Sequence, residues 1–118
     1  IIPKRGCARL DSLVIKASAG TFFRAPIFIC ETLPQTLQQL AQHSANICLM
    51  AANGKTTLFD YAITKPTVFV LGNETDGVSK EIQLLSHTAI SIPMANGIES
   101  LNVAMTATLI AYHSQLID

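Results

Sequence analysis

Residues Val68–Asn102 read VFVLGNETDGVSKEIQLLSHTAISIPMANGIESLN, and the fold is decided there. Two short apolar runs, Val68–Leu71 and Ala89–Ile92, each end in a polar loop. The first loop is Gly72–Gly77. The second is Pro93–Glu99, and it leads through Ser100-Leu101-Asn102 into an apolar segment of helical length. The order strand, loop, helix, strand, loop, helix is that of an α/β protein. In open α/β sheets ligands bind at the carboxyl ends of the strands, where both loops lie.

The neighbouring segments extend the pattern. Upstream, Asn46–Ala52 (NICLMAA) has the length and apolarity of a buried strand, and Asn53-Gly54 is a turn dipeptide. Thr57–Ile63 is ambiguous and is read as a single helical turn. Further back, Thr32 opens a helix: Thr32 and Gln35 are spaced as a capping box, and Pro34 sits in the first turn. Leu33, Leu37, Leu40 and Ala41 then fall on one face. Pro26–Cys30 predicts a strand. Asp11 or Ser12 predicts the cap of a short helix to about Ala19, ended by Gly20. Ile1-Ile2 reads as the tail of a buried strand. Downstream of the two loops, Ser79 predicts a cap for a helix ending near Leu85. Ser100 predicts the cap of a last helix from Leu101 to about Gln115, with Asn102 in its first turn. That helix is apolar almost all round, so its own fold or a second subunit is expected to wrap it.

A chain of 118 residues predicts one domain over 1–118. Only 14% of residues are charged, against roughly 25% in a typical soluble domain, and 49% are hydrophobic. So little polar surface suggests a chain packed against a partner, or a piece of something larger; the missing initiator Met points the same way. Net charge is zero, which argues mildly against a stand-alone RNA-binding domain. No apolar run approaches the ~18 residues of a membrane span, and no signal peptide is visible, so a cytoplasmic protein without membrane contact is expected. Cys7, Cys30 and Cys48 are widely spaced and read as reduced thiols, the last two buried. His43, His87 and His113 pair with no cysteine spacing and read as surface or helix-end residues; no metal site is expected. Lys4, Arg5 and Arg9 are either solvated surface or phosphate contacts.

The loops carry the chemistry. Gly72 has no Cβ and lets a ligand approach the backbone. Glu74 can accept a hydrogen bond from a hydroxyl or an amine. The loop lacks the GK[ST] of a phosphate cradle and the alternating carboxylates of a calcium loop. On its own it is equally an ordinary polar turn. Pro93 ends its strand at Ile92. Ser100 and Asn102 either satisfy a helix start or help a helix N-terminus present donors into a pocket.

LGNE-x-x-G-V-S, then ISIPM, then ESLNVA before a small-residue helix closely resemble the second and third motifs of the SpoU/TrmH-type RNA ribose 2′-O-methyltransferases of the SPOUT class. IIPKRG, Lys16–Gly20 and Ala25-Pro26-Ile27 resemble that family's middle segment in the same order, so the likeness covers essentially the whole chain. The resemblance implies a Rossmann-like, mostly parallel sheet with a C-terminal deep trefoil knot, an exception to the rule against knotted connections. It implies S-adenosyl-L-methionine as cofactor, held by backbone groups of Gly72, Ile92 and Leu101 beside Leu71. Met50, Ala51 and Ala52 lie near the adenosine, and Met94 lines the same pocket. It implies RNA, rRNA or tRNA, as substrate, and a homodimer through the last helix. Glu74, Ser100 and Asn102 match the positions that shape the catalytic site.

One departure matters. The family's first motif, an Asn-x-Gly…Arg segment whose Arg assists the ribose hydroxyl, is not in this chain; Arg5, Arg9 and Arg24 stand in the wrong context. The first strand–helix unit is therefore expected before Ile1, and the chain alone is expected to hold cofactor without turnover. The competing reading is an inactive SPOUT-like module that only dimerises or holds RNA. An ordinary nucleotide-binding Rossmann protein lacks its G-x-G-x-x-G here.

Overall fold

A computed structural model describes every residue except Ala8, Glu74, Gly97, Glu99 and 116–118. Two compact units emerge, Ile1–Thr36 and Leu37–Asp118. The first holds a two-stranded parallel sheet of β1 (Ile2–Pro3) and β2 (Ile29–Cys30). It also holds helix α1 (Ser12–Ala17) and a 3₁₀ turn, Thr21–Phe23. Asp11 caps α1, its carboxylate accepting from Leu13 N and Val14 N. The helix stops at Ala17, two residues before the predicted end, because Ala19 and Gly20 both turn left-handed. β2 is shorter than the predicted Pro26–Cys30. The expected burial at the chain start is corrected as well: Ile1 and Ile29 are exposed and Ile2 and Cys30 only half-buried, as on a sheet too small to cover either face.

The second unit is built on a four-stranded parallel sheet in the order β4–β6–β3–β5. These strands are β3 (Asn46–Met50), β4 (Thr56–Thr57), β5 (Thr67–Val70) and β6 (Thr88–Ser91). β3 is central, pairing Ile47 with Val68 on one side and Leu49 with Ala89 on the other. His87 extends the β3–β6 ladder: its N–H donates to Ile47 O (2.8 Å) and its Nδ1 accepts from Ile47 N (2.9 Å). The helical turn predicted over Thr57–Ile63 is instead the edge strand β4 followed by a turn. Thr56 and Thr57 have β-branched side chains suited to a pleated edge, and Leu58 just beyond them is fully buried.

Helices α2 (Leu33–Gln42) and α3 (Lys80–Leu85) form as the sequence predicts. Leu37 is the buried centre of the α2 stripe, and Ser79 Oγ caps α3 by accepting from Ile82 N. Cys48, Leu58, Ile90 and Ile110 make a core cluster flanked by Met50, Tyr61, Phe69, Leu71, Ile92 and Leu109. Helix α4 (Val103–Gln115) joins that core along one side only. Thr106 and Ile110 are buried, yet Met105 and Tyr112 are 60% and 66% exposed, and Ala104, Ala107 and Ala111 are exposed too. The chain's own fold does not wrap this helix. The helix start is a second correction. Asn102, not Ser100, is the cap: its Oδ1 accepts from Ala104 N (2.9 Å) and its C=O takes the first helical bond from Thr106 N. No helix among the described residues is long and apolar enough to cross a membrane.

Candidate active site

Because β3, β5 and β6 run parallel, their carboxyl ends open on the same edge of the sheet. A cavity of about 390 Å³ lies there. The end of β3 contributes Leu49, Met50, Ala51 and Ala52. The end of β5 contributes Leu71, Gly72 and Asn73, and the end of β6 contributes Ile90, Ile92 and Met94. Gly77, Val78 and Gln83 close one side; Ser100, Leu101, Val103 and Thr106, around the start of α4, close another. Met50, Ala51, Ala52, Leu71, Gly72, Ile92, Met94 and Leu101 therefore line one cavity, with Ser100 among them. They come from three separated segments. Asn102 lies beside this wall as the α4 cap. Glu74 falls outside the described residues, as does Gly97 of the second loop.

The loop after β5 is held by its own backbone. Asn73 N donates to Gly77 O (3.2 Å) and Gly77 N to Asn73 O (3.1 Å). The Asn73 Oδ1 accepts from Thr75 N and Asp76 N, and Gln83 Nε2 reaches back from α3 to Val78 O (2.7 Å). Gly72 packs so close to Gly77 that a Cβ would lie 2.6 Å from its carbonyl carbon. Gly77 itself takes φ +66°. Gly54 has a similar constraint elsewhere: a Cβ there would lie 2.6 Å from Ile90 C and 2.7 Å from Ser91 N, against the backbone of β6.

The cavity walls are mostly apolar, with backbone amides and carbonyls at the strand ends and no ionisable side chain among the described lining residues. Such a site suits a small organic ligand held by apolar contact and a few main-chain hydrogen bonds. The described residues contain no cluster of three His, Cys, Asp or Glu side chains able to hold a metal. Two titratable groups belong to the core instead, Cys48 in β3 and Tyr61 packed against its cluster. Burial pushes the Cys48 thiol up, partly offset by the bond to Tyr61, and burial also raises the Tyr61 phenol. Asn46 Nδ2 donates to the Tyr61 hydroxyl and to Cys48 Sγ, and His113 Nε2 bonds Tyr61 O (2.9 Å). This network fastens the end of α4 to the sheet.

Sequence reasoning did not single out Leu49, Val78, Ile90 and Val103 of the lining, nor its two polar helix residues, Gln83 and Thr106. Thr106 carried a signal: it is a polar residue one turn beyond Val103, on the side of an apolar helix that turns out to be buried. Gln83 carried none, since a glutamine on a short helix looks like any solvated residue.

Residues 1–112 match the SpoU rRNA Methylase family model. An uncharacterized tRNA/rRNA methyltransferase of Mycolicibacterium smegmatis is 34% identical over 110 residues, 93% of this chain and 35% of that protein. The 23S rRNA (guanosine-2′-O-)-methyltransferase RlmB of Nitrosomonas europaea is 31% identical over 114 residues, 97% of this chain and 44% of the relative. Among solved structures, the SpoU methyltransferase AviRb of Streptomyces viridochromogenes, in complex with AdoMet, superposes with a TM-score of 0.84 at 27% identity, over 98% of this chain and 49% of that one. The chain thus spans less than half the length of each of these proteins. Its mixed α/β architecture with parallel sheets is that of the SpoU methyltransferase structures.

Proposed function

This chain belongs to the SpoU rRNA methylase family, and on that premise we propose that it is the cofactor-holding part of an S-adenosylmethionine-dependent methyltransferase acting on a ribose 2′-hydroxyl of rRNA or tRNA. The observation that carries the reading is the cavity at the strand ends, where three distant segments converge on one pocket. Its volume falls within the range of small-molecule sites. The missing Cβ at Gly72 is what lets the Gly77 backbone lie against it and close this loop of the cavity wall. When bound, S-adenosylmethionine supplies an electrophilic methyl on a sulfonium sulfur. Backbone groups of Gly72, Ile92 and Leu101 hold the ligand, and Met50 and Met94 pack against it. Ser100, at the mouth, orients the incoming ribose, and Asn102 fixes the start of α4 behind it. The chain's own contribution would be to set the ribose 2′-hydroxyl against that methyl; no group able to take the hydroxyl proton is among the described lining residues. Holding oxygen, carbon and sulfur in line supplies much of the acceleration.

Glu74 keeps the role its motif suggests. The 118 residues hold no Asn-x-Gly…Arg segment, so in this reading the Arg that assists the hydroxyl lies outside them. The insertion of β6 between β3 and β4, both earlier in the chain, supports a threaded C-terminus. The exposed apolar side of α4 supports a homodimer through that helix. S-adenosylhomocysteine at ~100 times its dissociation constant is expected to stabilise the chain by about 2.7 kcal/mol. Bulk tRNA and rRNA are expected to gain no methyl from residues 1–118 alone. No stabilisation at millimolar ligand would overturn the cofactor reading, and turnover by the chain alone would overturn the placement of the Arg.

A further inference from the structure

The neutral net charge conceals a segregation. Residues 1–36 carry Lys4, Arg5, Arg9, Lys16 and Arg24 against Asp11 and Glu31 only; residues 37–118 carry three lysines against six carboxylates. Both carboxylates of the first unit are already engaged. Glu31 pairs with Lys4 (2.7 Å), and Asp11 caps α1. Arg5, Arg9, Lys16 and Arg24 are exposed, and among the described residues no carboxylate pairs with them.

The same unit carries an exposed aromatic ring. Phe23 is 74% exposed, next to Arg24. It is not a loose side chain on a loose loop. The turn beneath it is closed by Thr21 Oγ1 donating to Ser18 O (2.6 Å), Phe22 N to Ser18 Oγ (3.2 Å) and Arg24 N to Thr21 O (2.9 Å). Ser18 Oγ in turn donates to Ile15 O of α1 (2.8 Å). The half-buried Phe22 meets the Phe23 ring edge-on, centroids 5.4 Å apart and planes at 89°. A preset aromatic ring next in sequence to an unpaired guanidinium, in a unit with a surplus of exposed cations, is suited to an unstacked base, with phosphates on the cations.

We propose that the Thr21–Arg24 turn is an RNA platform, with Phe23 stacking a single-stranded base and Arg24, Arg9 and Lys16 meeting phosphates. The inference rests on the methyltransferase reading for its choice of RNA, but it concerns residues apart from the cofactor cavity. Charge favours RNA over a second protein copy, since two such positive units would repel each other.

The test is fluorescence anisotropy of the full 118-residue chain with a labelled single-stranded RNA about 12 nucleotides long, a length within the usual single-strand site size. Phe23→Leu keeps the apolar area and loses the stack; it is expected to weaken binding roughly 5- to 150-fold, the usual range for one stacked base. Phe23→Trp is expected to restore it. Arg24→Gln and Arg9→Gln are each expected to lower the slope of log affinity against log salt by about 0.7. Calorimetry with S-adenosylhomocysteine on the same proteins is expected to show no change. Equal affinity of Phe23→Leu and parent overturns the platform, as does failure of the parent to bind RNA while it binds S-adenosylhomocysteine. A shift in sedimentation of Phe23→Leu with unchanged RNA affinity also overturns it, in favour of docking between copies. RNA binding through Phe23 in a chain that ignores S-adenosylhomocysteine would leave the platform standing and remove the cofactor reading.

Discussion

Replacing Gly72 with alanine probes the cavity wall at the atom where it has least room. The new methyl would meet Gly77 C at 2.6 Å, Cα at 2.8 Å and O at 2.9 Å, all backbone, where ordinary contact begins near 3.4 Å. No flexible side chain can give way, so the two arms of the loop must part by most of an ångström. The bonds joining Asn73 and Gly77, 3.2 and 3.1 Å long, lie at that spot and break first. Two such bonds at about 0.5–1.5 kcal/mol each put the cost at roughly 1–3 kcal/mol. That agrees with the usual cost of overpacking. At an unfolding entropy of about 2.1 cal/mol/K per residue, a chain this long loses roughly 4 °C of Tm per kcal/mol, so the variant is expected to melt about 4–12 °C lower. Because the parted loop forms one wall of the cavity, S-adenosylhomocysteine affinity measured by calorimetry is expected to fall roughly tenfold, the effect of about 1.4 kcal/mol. Gly77→Ala separates the two effects. A Cβ there meets nothing within 4 Å, but φ is +66°. It is expected to cost about 1–2 kcal/mol of backbone strain and to leave more of the ligand affinity. A Gly72→Ala protein that melted with the parent and bound S-adenosylhomocysteine equally well would refute the close approach on which the site is built.

Leu58→Ala empties the middle of the core cluster and is expected to cost about 2–5 kcal/mol in urea unfolding; a loss under about 1 kcal/mol would place Leu58 outside the core. Asn102→Ala removes the α4 cap and is expected to cost about 0.5–2 kcal/mol, with sedimentation unchanged. Ser44 ends α2 at φ +68°, so Ser44→Gly is expected to raise Tm, and a lower Tm would deny that strain. Cys48 and Tyr61 both titrate higher in the folded chain than their ordinary values of 9.0 and 10.0. The unfolded chain therefore releases these protons first. The stability these two protonated groups contribute is present below pH 9 and is lost as pH rises past 9 for Cys48 and past 10 for Tyr61. Tyr61→Phe is expected to flatten that alkaline decline in unfolding curves between pH 8 and 11, and an unchanged slope would remove Tyr61 from the linkage.

The parallel sheet was legible because its signals are local. Val68–Leu71 and Ala89–Ile92 are apolar runs of strand length that stop at Gly72 and Pro93, and three of the four strands of the larger sheet follow from such runs. β4 was not, because two threonines between Lys55 and Leu58 make a pattern too short to show a period of two; only pairing with β6 gives them strand geometry. Helix α4 was legible only as far as its need for cover, not as to what supplies it, for a related reason. Alanine and methionine score as apolar wherever they face, so composition alone does not separate a helix wrapped by its own fold from one whose Ala104, Met105, Ala107 and Ala111 that fold leaves uncovered.

The cavity shows what separates a motif from a site. Gly72, Ile92 and Leu101 stand out because each lies at a break in the chain's pattern, where a run stops or a helix begins. The residues that make their meeting possible stand out in no pattern at all. Gly54 reads as half of a turn dipeptide, yet its hydrogen atom is what lets the chain after β3 lie against the backbone of Ile90 and Ser91. Gln83 reads as solvated, yet its amide ties Val78 to α3 and so fixes the far end of the Gly72–Gly77 loop. Close approach of two backbones is a property of pairs distant in sequence, and single-chain periodicity carries no record of it. Breaks in pattern therefore locate the atoms that face a ligand, whereas the distances between those atoms are set by residues such as Gly54 and Gln83, whose importance follows from what they touch.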